Sequence, residues 1–346
     1  MTDSREKADL FQKELDVLEQ LEQQIGASIP IQTIYEEGSL QGCGCVKAGG
    51  HITKLSLDNT PHNWARIDRS PLKLLPDSIS NLKMLAVLFL DRQELAELPD
   101  SFTELKNLFW IVLSENNLTR LPEEIGNLTN LQEVIIRNNR LTSLPESIGE
   151  LKKLRIFDLR DNQLQFLPDS IGGLASLKEF HLENNQITSL PESIGELSSL
   201  EIFIAASNQL SMLPDSFGNL RWLDKLGLGG NQFDVFPESV TRIEKLRVIG
   251  LDNNLLSTLP DSIMNMKSLV NLELKGNDFV SFPEVLLNRG FLGFLNLEEN
   301  HITSLPERII DFKFENLKLS GNPITSIPEV VIQWYDEIKH RHRIQW

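Results

Sequence analysis

Apolar positions recur along the chain in a single pattern, L-x-x-L-x-L-x-x-N-x-L-x-x-L-P. Its repeats start at Ile52, Leu85, Leu108, Leu131, Leu154, Leu177, Leu200, Leu223, Leu246, Leu269, Leu292 and Phe314. Successive starts lie 33 residues apart for the first pair, 23 for the next nine and 22 for the last. Within a repeat, positions 4 and 6, such as Val134 and Ile136, are apolar between variable neighbours, the alternation of a short half-buried strand. The chain then passes an Asn and an apolar-x-x-apolar-Pro step, as in Leu141 to Pro145. It runs on into Glu-Ser-Ile148-Gly149-Glu-Leu151, which predicts a short helix or 3-10 turn on the opposite side. One repeat cannot bury its leucines alone, so repeats must stack, strand beside parallel strand, around a continuous row of Leu, Ile and Phe.

Two ladders follow from that stacking. Asn occupies position 9 in ten repeats, from Asn116 to Asn322, with Thr60 and Gln93 in the other two. A buried amide there is expected to satisfy main-chain groups of its own turn and of the adjacent repeat. Twelve of the 16 prolines, from Pro76 to Pro328, close the apolar-Pro steps and fix φ at the entrance to the turn. An acidic residue follows each of them, from Asp77 to Glu329. In a helical first turn, negative charge is favoured by ~0.3–1 kcal/mol. This stripe accounts for much of the net charge of −16 without any cationic ligand.

A stacked array exposes core at both ends and needs caps. Residues 3–25 predict an amphipathic helix with Phe11, Leu15, Leu18, Leu21 and Ile25 at helical spacing, and residues 43–57 a hairpin turning at Gly49-Gly50. A loop at 60–71, with Trp64 and Pro71, lengthens the first repeat and is expected either to touch a partner or to cover the end. At the far end, 328–338 predicts a helix sealing the stack with Val330, Trp334 and Ile338, and the basic run Lys339 to Arg343 reads as solvated. The expected organisation is a cap at 1–51, twelve repeats over 52–327 and a cap at 328–346.

Composition then narrows the function. Lys and Arg number 33 against 49 Asp and Glu, leaving no basic surplus for phosphates, so nucleic acid is not an expected partner. No apolar run of about 18 residues exists, and Met1 to Lys7 opens no apolar leader, so no membrane association and a cytoplasmic location are expected. The 2 cysteines, Cys43 and Cys45, fit a reducing compartment. They supply too few ligands for structural zinc even if His51 joined them, so neither metal nor cofactor is expected. No phosphate-loop, zinc-helix or nucleophile-elbow motif occurs, and Gly227-Leu-Gly229-Gly230 falls inside a repeat strand, so no enzymatic activity is expected.

Over roughly residues 52–336 the chain resembles the leucine-rich-repeat (LRR) family. Its form L-P-[DE]-S-[IF]-G-x-L is similar to intracellular members: Scribble-type scaffolds, plant Ras-group LRR proteins, Roco proteins and many prokaryotic LRR proteins. The resemblance implies an α/β right-handed solenoid, or horseshoe, with a concave parallel β-sheet and convex short helices or 3-10 turns. It also implies a non-catalytic scaffold in signalling, since those relatives mostly hold protein partners, small GTPases among them. The kinase, GTPase and ligase domains joined to some relatives have no counterpart in this sequence.

In that family, strand positions 2, 3, 5, 7 and 8 face the concave surface and are not dictated by the repeat. Val87, Phe89, Phe109, Trp110, Val112, Ile135 and Ile156 are therefore expected side by side across repeats two to five as a protein-binding patch. Arg137 and Arg160 stand at its rim, with Arg92, Glu115, Arg155, Lys178 and Glu183 near it. Two rivals compete: the N-terminal helix or the 60–71 loop folding over the patch, and self-association, a monomer passing to a weak homodimer. Gly227, Gly229, Gly230 and Gly250 leave a bare wall as a second, weaker surface.

Overall fold

The structure, a computed structural model, describes residues 10–32, 43–58, 70–338 and 343–345. The chain divides into two compact units, Met1–Leu177 and Lys178–Trp346.

In the first unit the strands are β1 (Ile31–Gln32), β2 (Cys43–Ala48), β3 (His51–Leu57), β4 (Val87–Phe89), β5 (Trp110–Val112), β6 (Glu133–Ile135) and β7 (Ile156–Asp158). β2 and β3 form the antiparallel hairpin the glycine pair predicts, and β3 to β7 follow in sequence order, each parallel to the last. The constant repeat length puts like positions in register: Val87 pairs Trp110, Trp110 pairs Glu133 and Glu133 pairs Ile156. Strand side chains alternate between faces. Position 4, Leu88, Ile111, Val134 and Phe157, accordingly points into the core with at most 2% exposure.

The return path is made of 3-10 turns, such as Asp100–Glu104, Glu146–Glu150 and Asp169–Gly173. Pro145 opens its turn at φ −71° and ψ 152°. Adjacent turns then approach until a Cβ placed on Gly149 would lie 2.2 Å from the Ser170 carbonyl oxygen, so only glycine fits. The Asn ladder is built as the amide chemistry requires. Asn116 Oδ1 accepts Leu95 N–H at 3.1 Å while its Nδ2 donates to the carbonyls of Leu90 at 2.8 Å and Leu113 at 3.0 Å. Gln93 does the same one repeat earlier, accepting from Leu72 N–H at 2.8 Å and donating to Leu57 at 2.6 Å. Thr60 lies outside the described residues.

The N-terminal cap turns Leu18, Leu21 and Ile25 inward as expected and departs from the expected helix face at Phe11 and Glu14. α1 spans Gln12–Ile25 and buries Glu14, Val17, Leu18, Leu21 and Ile25. Phe11 is 54% exposed and stacks on His51 at 4.4 Å. Glu14 is buried because its carboxylate holds the hairpin, meeting His51 Nδ1 and accepting Ile52 N–H, each at 2.7 Å. The same helix reaches the first turn through Ser78, whose hydroxyl donates to Gln20 at 2.7 Å. The 60–71 loop, Trp64 included, lies almost wholly outside the described residues.

In the second unit β8 (Glu179–His181), β9 (Ile202–Ile204), β10 (Lys225–Gly227), β11 (Val248–Gly250), β12 (Asn271–Glu273), β13 (Leu292–Asn296), β14 (Phe314–Lys318) and β15 (Arg343–Gln345) are all parallel. Phenylalanines fill its core: Phe203 meets Phe180 at 5.9 Å and Phe217 at 5.4 Å, both edge-to-face. Two turns deviate where Phe replaces both leucines of the L-x-x-L-P step. Pro237, after Phe233 and Phe236, takes ψ 96°, and Pro283, after Phe279 and Phe282, takes ψ 89°, against 154° at Pro191. α2 (Glu329–Ile338) closes the far end, with Trp334 edge-on to Phe314 at 6.0 Å. Val331 is fully buried and Val330 is 38% exposed, one residue on from the predicted stripe, because the helix seats on its i, i+3 face. No helix among the described residues is long and apolar enough to cross a membrane.

Candidate functional site

Because odd strand positions face away from the core, the first unit displays two parallel rows. One row is Val87, Trp110, Glu133 and Ile156; the other is Phe89, Val112, Ile135 and Asp158. Phe89, Trp110, Val112, Ile135 and Ile156 are half-buried, side by side at the spacing of neighbouring strands. Phe89 and Trp110 meet edge-to-face with centroids 4.8 Å apart and planes at 77°. Such a pair is worth about 0.5–1.5 kcal/mol beyond its burial and holds both rings in place. The Trp110 indole Nε1 is enclosed without a hydrogen-bond acceptor among the described residues, a cost the fold alone does not explain.

Two members of the expected patch lie differently. Val87, in register between Lys54 and Trp110, is only 4% exposed and so is not open on this face. Phe109, at the strand entrance, is 38% exposed at the margin of the rows. Among the described residues α1 contacts the end hairpin, the turn at Asp77–Asn81 and Ser70, whose N–H donates to the Ile25 carbonyl at 3.0 Å.

The charged flank is organised by a residue the sequence reading passed over. Asp158, 4% exposed, receives Arg160 in a two-pronged contact at 2.9 and 2.6 Å and Arg137 at 3.5 Å. One buried carboxylate thus sets both predicted rim arginines. The signal was available: positions 5 and 7 share a face, and register sets Asp158 beside Ile135. Arg92 and Glu115 pair at 2.9 Å on the surface, each favouring the other's charged form. Between these groups Asp91 accepts Ser114 N–H at 2.7 Å. Burial pushes its carboxyl up to about 6, helped by Asp58 and opposed by Ser114 and Arg137.

The glycines of the second unit have local reasons. A Cβ on Gly227 would stand 3.0 Å from Ile204, and one on Gly229 would stand 2.4 Å from an Asp252 carboxylate oxygen. These two make room for neighbouring side chains. Cys45 is buried and Cys43 half-buried on β2, while His51 is engaged by Glu14. No group of three or more His, Cys, Asp or Glu among the described residues is placed to hold a metal ion.

A stack of short parallel strands backed by 3-10 turns, displaying its least constrained side chains on the strand face, defines a repeat solenoid suited to holding another macromolecule. Family models agree: the leucine rich repeat matches residues 129–187 and the leucine-rich repeat region 63–137. Among solved structures, the chain is similar to an LRR protein of Leptospira interrogans at 28% identity over 80% of this chain and 81% of that one, with a TM-score of 0.63. It is also similar to the plant peptide hormone receptor RGFR1, solved in complex with RGF2, at 27% identity over 72% of this chain and 50% of that one, TM-score 0.59. An internalin of Listeria monocytogenes, 19% identical over 86% and 91% of the two chains with a TM-score of 0.60, shares the fold. The search of curated proteins found no match. The chain is a leucine-rich-repeat protein, and that fold generally serves as a protein–protein interaction scaffold.

Proposed function

We propose that the strand face of the first unit docks a protein partner without catalysing a reaction, with Phe89 and Trp110 as anchors, Val112, Ile135 and Ile156 as apolar surround, and Arg137 and Arg160 at the rim. The observation that carries this reading is the Phe89–Trp110 pair, two aromatic rings fixed at 4.8 Å on a surface that the repeat leaves free. Aromatic and Arg residues dominate binding hot spots, and apolar centres ringed by polar groups are the usual anatomy of interfaces. The Leptospira and plant receptor likenesses support a binding role, and the receptor's solved complex with RGF2 supports a peptide or protein as the class of ligand. A small GTPase as the partner rests on the family resemblance alone.

A pull-down from source lysate, comparing wild type with the Phe89→Ser, Trp110→Ser double variant, tests the assignment. A partner retained by wild type and lost by the variant is the expected result. Equal recovery by both removes the patch from the interface. Light scattering across a concentration series separates this from self-association: a mass that rises with concentration in wild type but not in the double variant assigns the patch to a homodimer.

A further inference from the structure

The loop edge of the second unit carries an apolar pair that its repeats do not require. In this unit the residue two before each turn proline is exposed, and it is polar in the repeats on either side, Ser189 and Thr258. At Met212 and Val235, in consecutive repeats, it is apolar and 68% exposed, and Leu255 beside them is 52% exposed. In the first unit Leu74 and Phe166 occupy the same position singly, with Glu97, Arg120 and Ser143 in the repeats between them. Together Met212, Val235 and Leu255 wall a groove of about 600 Å³ floored by Leu213, Phe236 and Pro237. The floor is shaped by the Phe233–Phe236 step, where Pro237 departs from the usual ψ. Contiguous exposed apolar surface of this kind marks interaction sites, and a methionine in its wall adapts to irregular contacts.

The charged side chains that line the groove are all acidic. Asp215, Asp234 and Glu238 line it, and among the described residues no Lys or Arg does. Asp215 also meets Arg242 at 3.6 Å but is 93% exposed, so it still faces solvent. An acidic border steers cationic partners toward the apolar strip and rejects anionic ones.

We propose that this groove docks a basic amphipathic segment of a protein partner, with aliphatic side chains against Met212, Val235 and Leu255 and Lys or Arg against Asp234 and Glu238. The groove shares no residue with the strand-face patch, so either reading stands or falls without the other.

Fluorescence anisotropy with a short labelled peptide of alternating leucine and lysine, titrated with the full chain at physiological ionic strength, tests it. Each variant is first checked for folding by circular dichroism. The Met212→Ser, Val235→Ser variant and the Asp234→Lys, Glu238→Lys variant are each expected to weaken binding at least ~tenfold, about 1.4 kcal/mol. Trp110→Ala and the charge-matched control Glu123→Lys, Glu146→Lys are expected to bind as wild type, and a leucine–glutamate peptide not to bind. A loss in the charge-matched control equal to that in the groove variants would assign binding to overall acidity and overturn the proposal. Undiminished binding by Met212→Ser, Val235→Ser would overturn it as well.

Discussion

At the scale of single residues, Asp91 is the group whose chemistry the fold perturbs most visibly on the candidate face. Burial raises its carboxyl from 3.8 to about 6, so the folded state holds its proton more tightly than the unfolded chain does. The stability this contributes is fully present below about pH 3.8 and is lost as pH rises through about 6. Asp91→Asn keeps an oxygen for Ser114 N–H and carries no charge. It is predicted to raise stability at pH 7 by roughly 1–2 kcal/mol and to flatten the pH dependence between about 4 and 6. Urea denaturation at a series of pH values measures both, and an unchanged profile would show that the ionised carboxylate is tolerated. Side-chain environments of this kind were the least legible part of the sequence. Val87 reads as an outward strand position, yet in register between Lys54 and Trp110 it is buried.

At the scale of elements, the repeat was legible because its constraints are local and recur. Val134, Ile136 and Asn139 announce strand, core and turn within one stretch of chain, and Pro145 marks the return. The sequence pattern allowed a helix or a 3-10 turn there, and close stacking decided for the latter. Gly149→Ala forces a Cβ to 2.2 Å from the Ser170 oxygen, so it is predicted to cost at least ~2 kcal/mol of stability, far beyond the ordinary gain from replacing glycine. Stability close to that of wild type in thermal or urea unfolding would mean that adjacent turns are not held so tightly.

The caps were harder to read because their partners lie far off in sequence. In α1 the docked face is completed by the Glu14 contact to His51 and Ile52, which helical spacing cannot reveal. Removing that carboxylate leaves the Ile52 N–H buried and unpaired. Glu14→Ala is predicted to destabilise the cap by about 2–3 kcal/mol and to open the hairpin amides first. Hydrogen exchange measures this directly. Protection at Ile52 unchanged from wild type would assign the cap's stability to Val17, Leu18, Leu21 and Ile25 alone.

At the scale of the whole molecule, the residues fixed by folding can be separated from those left free. Leucines, the Asn ladder, turn prolines and close-packed glycines are spoken for by the stack, and the acids after the prolines account for much of the net charge of −16. The side chains that remain unexplained gather in few places, chiefly the aromatic pair of the strand face with its arginines anchored on Asp158. Sequence periodicity was enough to find the rows, since register follows from constant repeat length. It could not show which members are open, because that depends on neighbouring repeats.

The affinity of the captured partner for Trp110→Ala, measured by calorimetry beside wild type and Trp110→Phe, bears most directly on the account. A hot-spot indole predicts a loss of at least ~2 kcal/mol, roughly thirtyfold, for alanine, with phenylalanine recovering part of it through retained ring area. Affinities equal across all three proteins would contradict the assignment of this face as the docking surface.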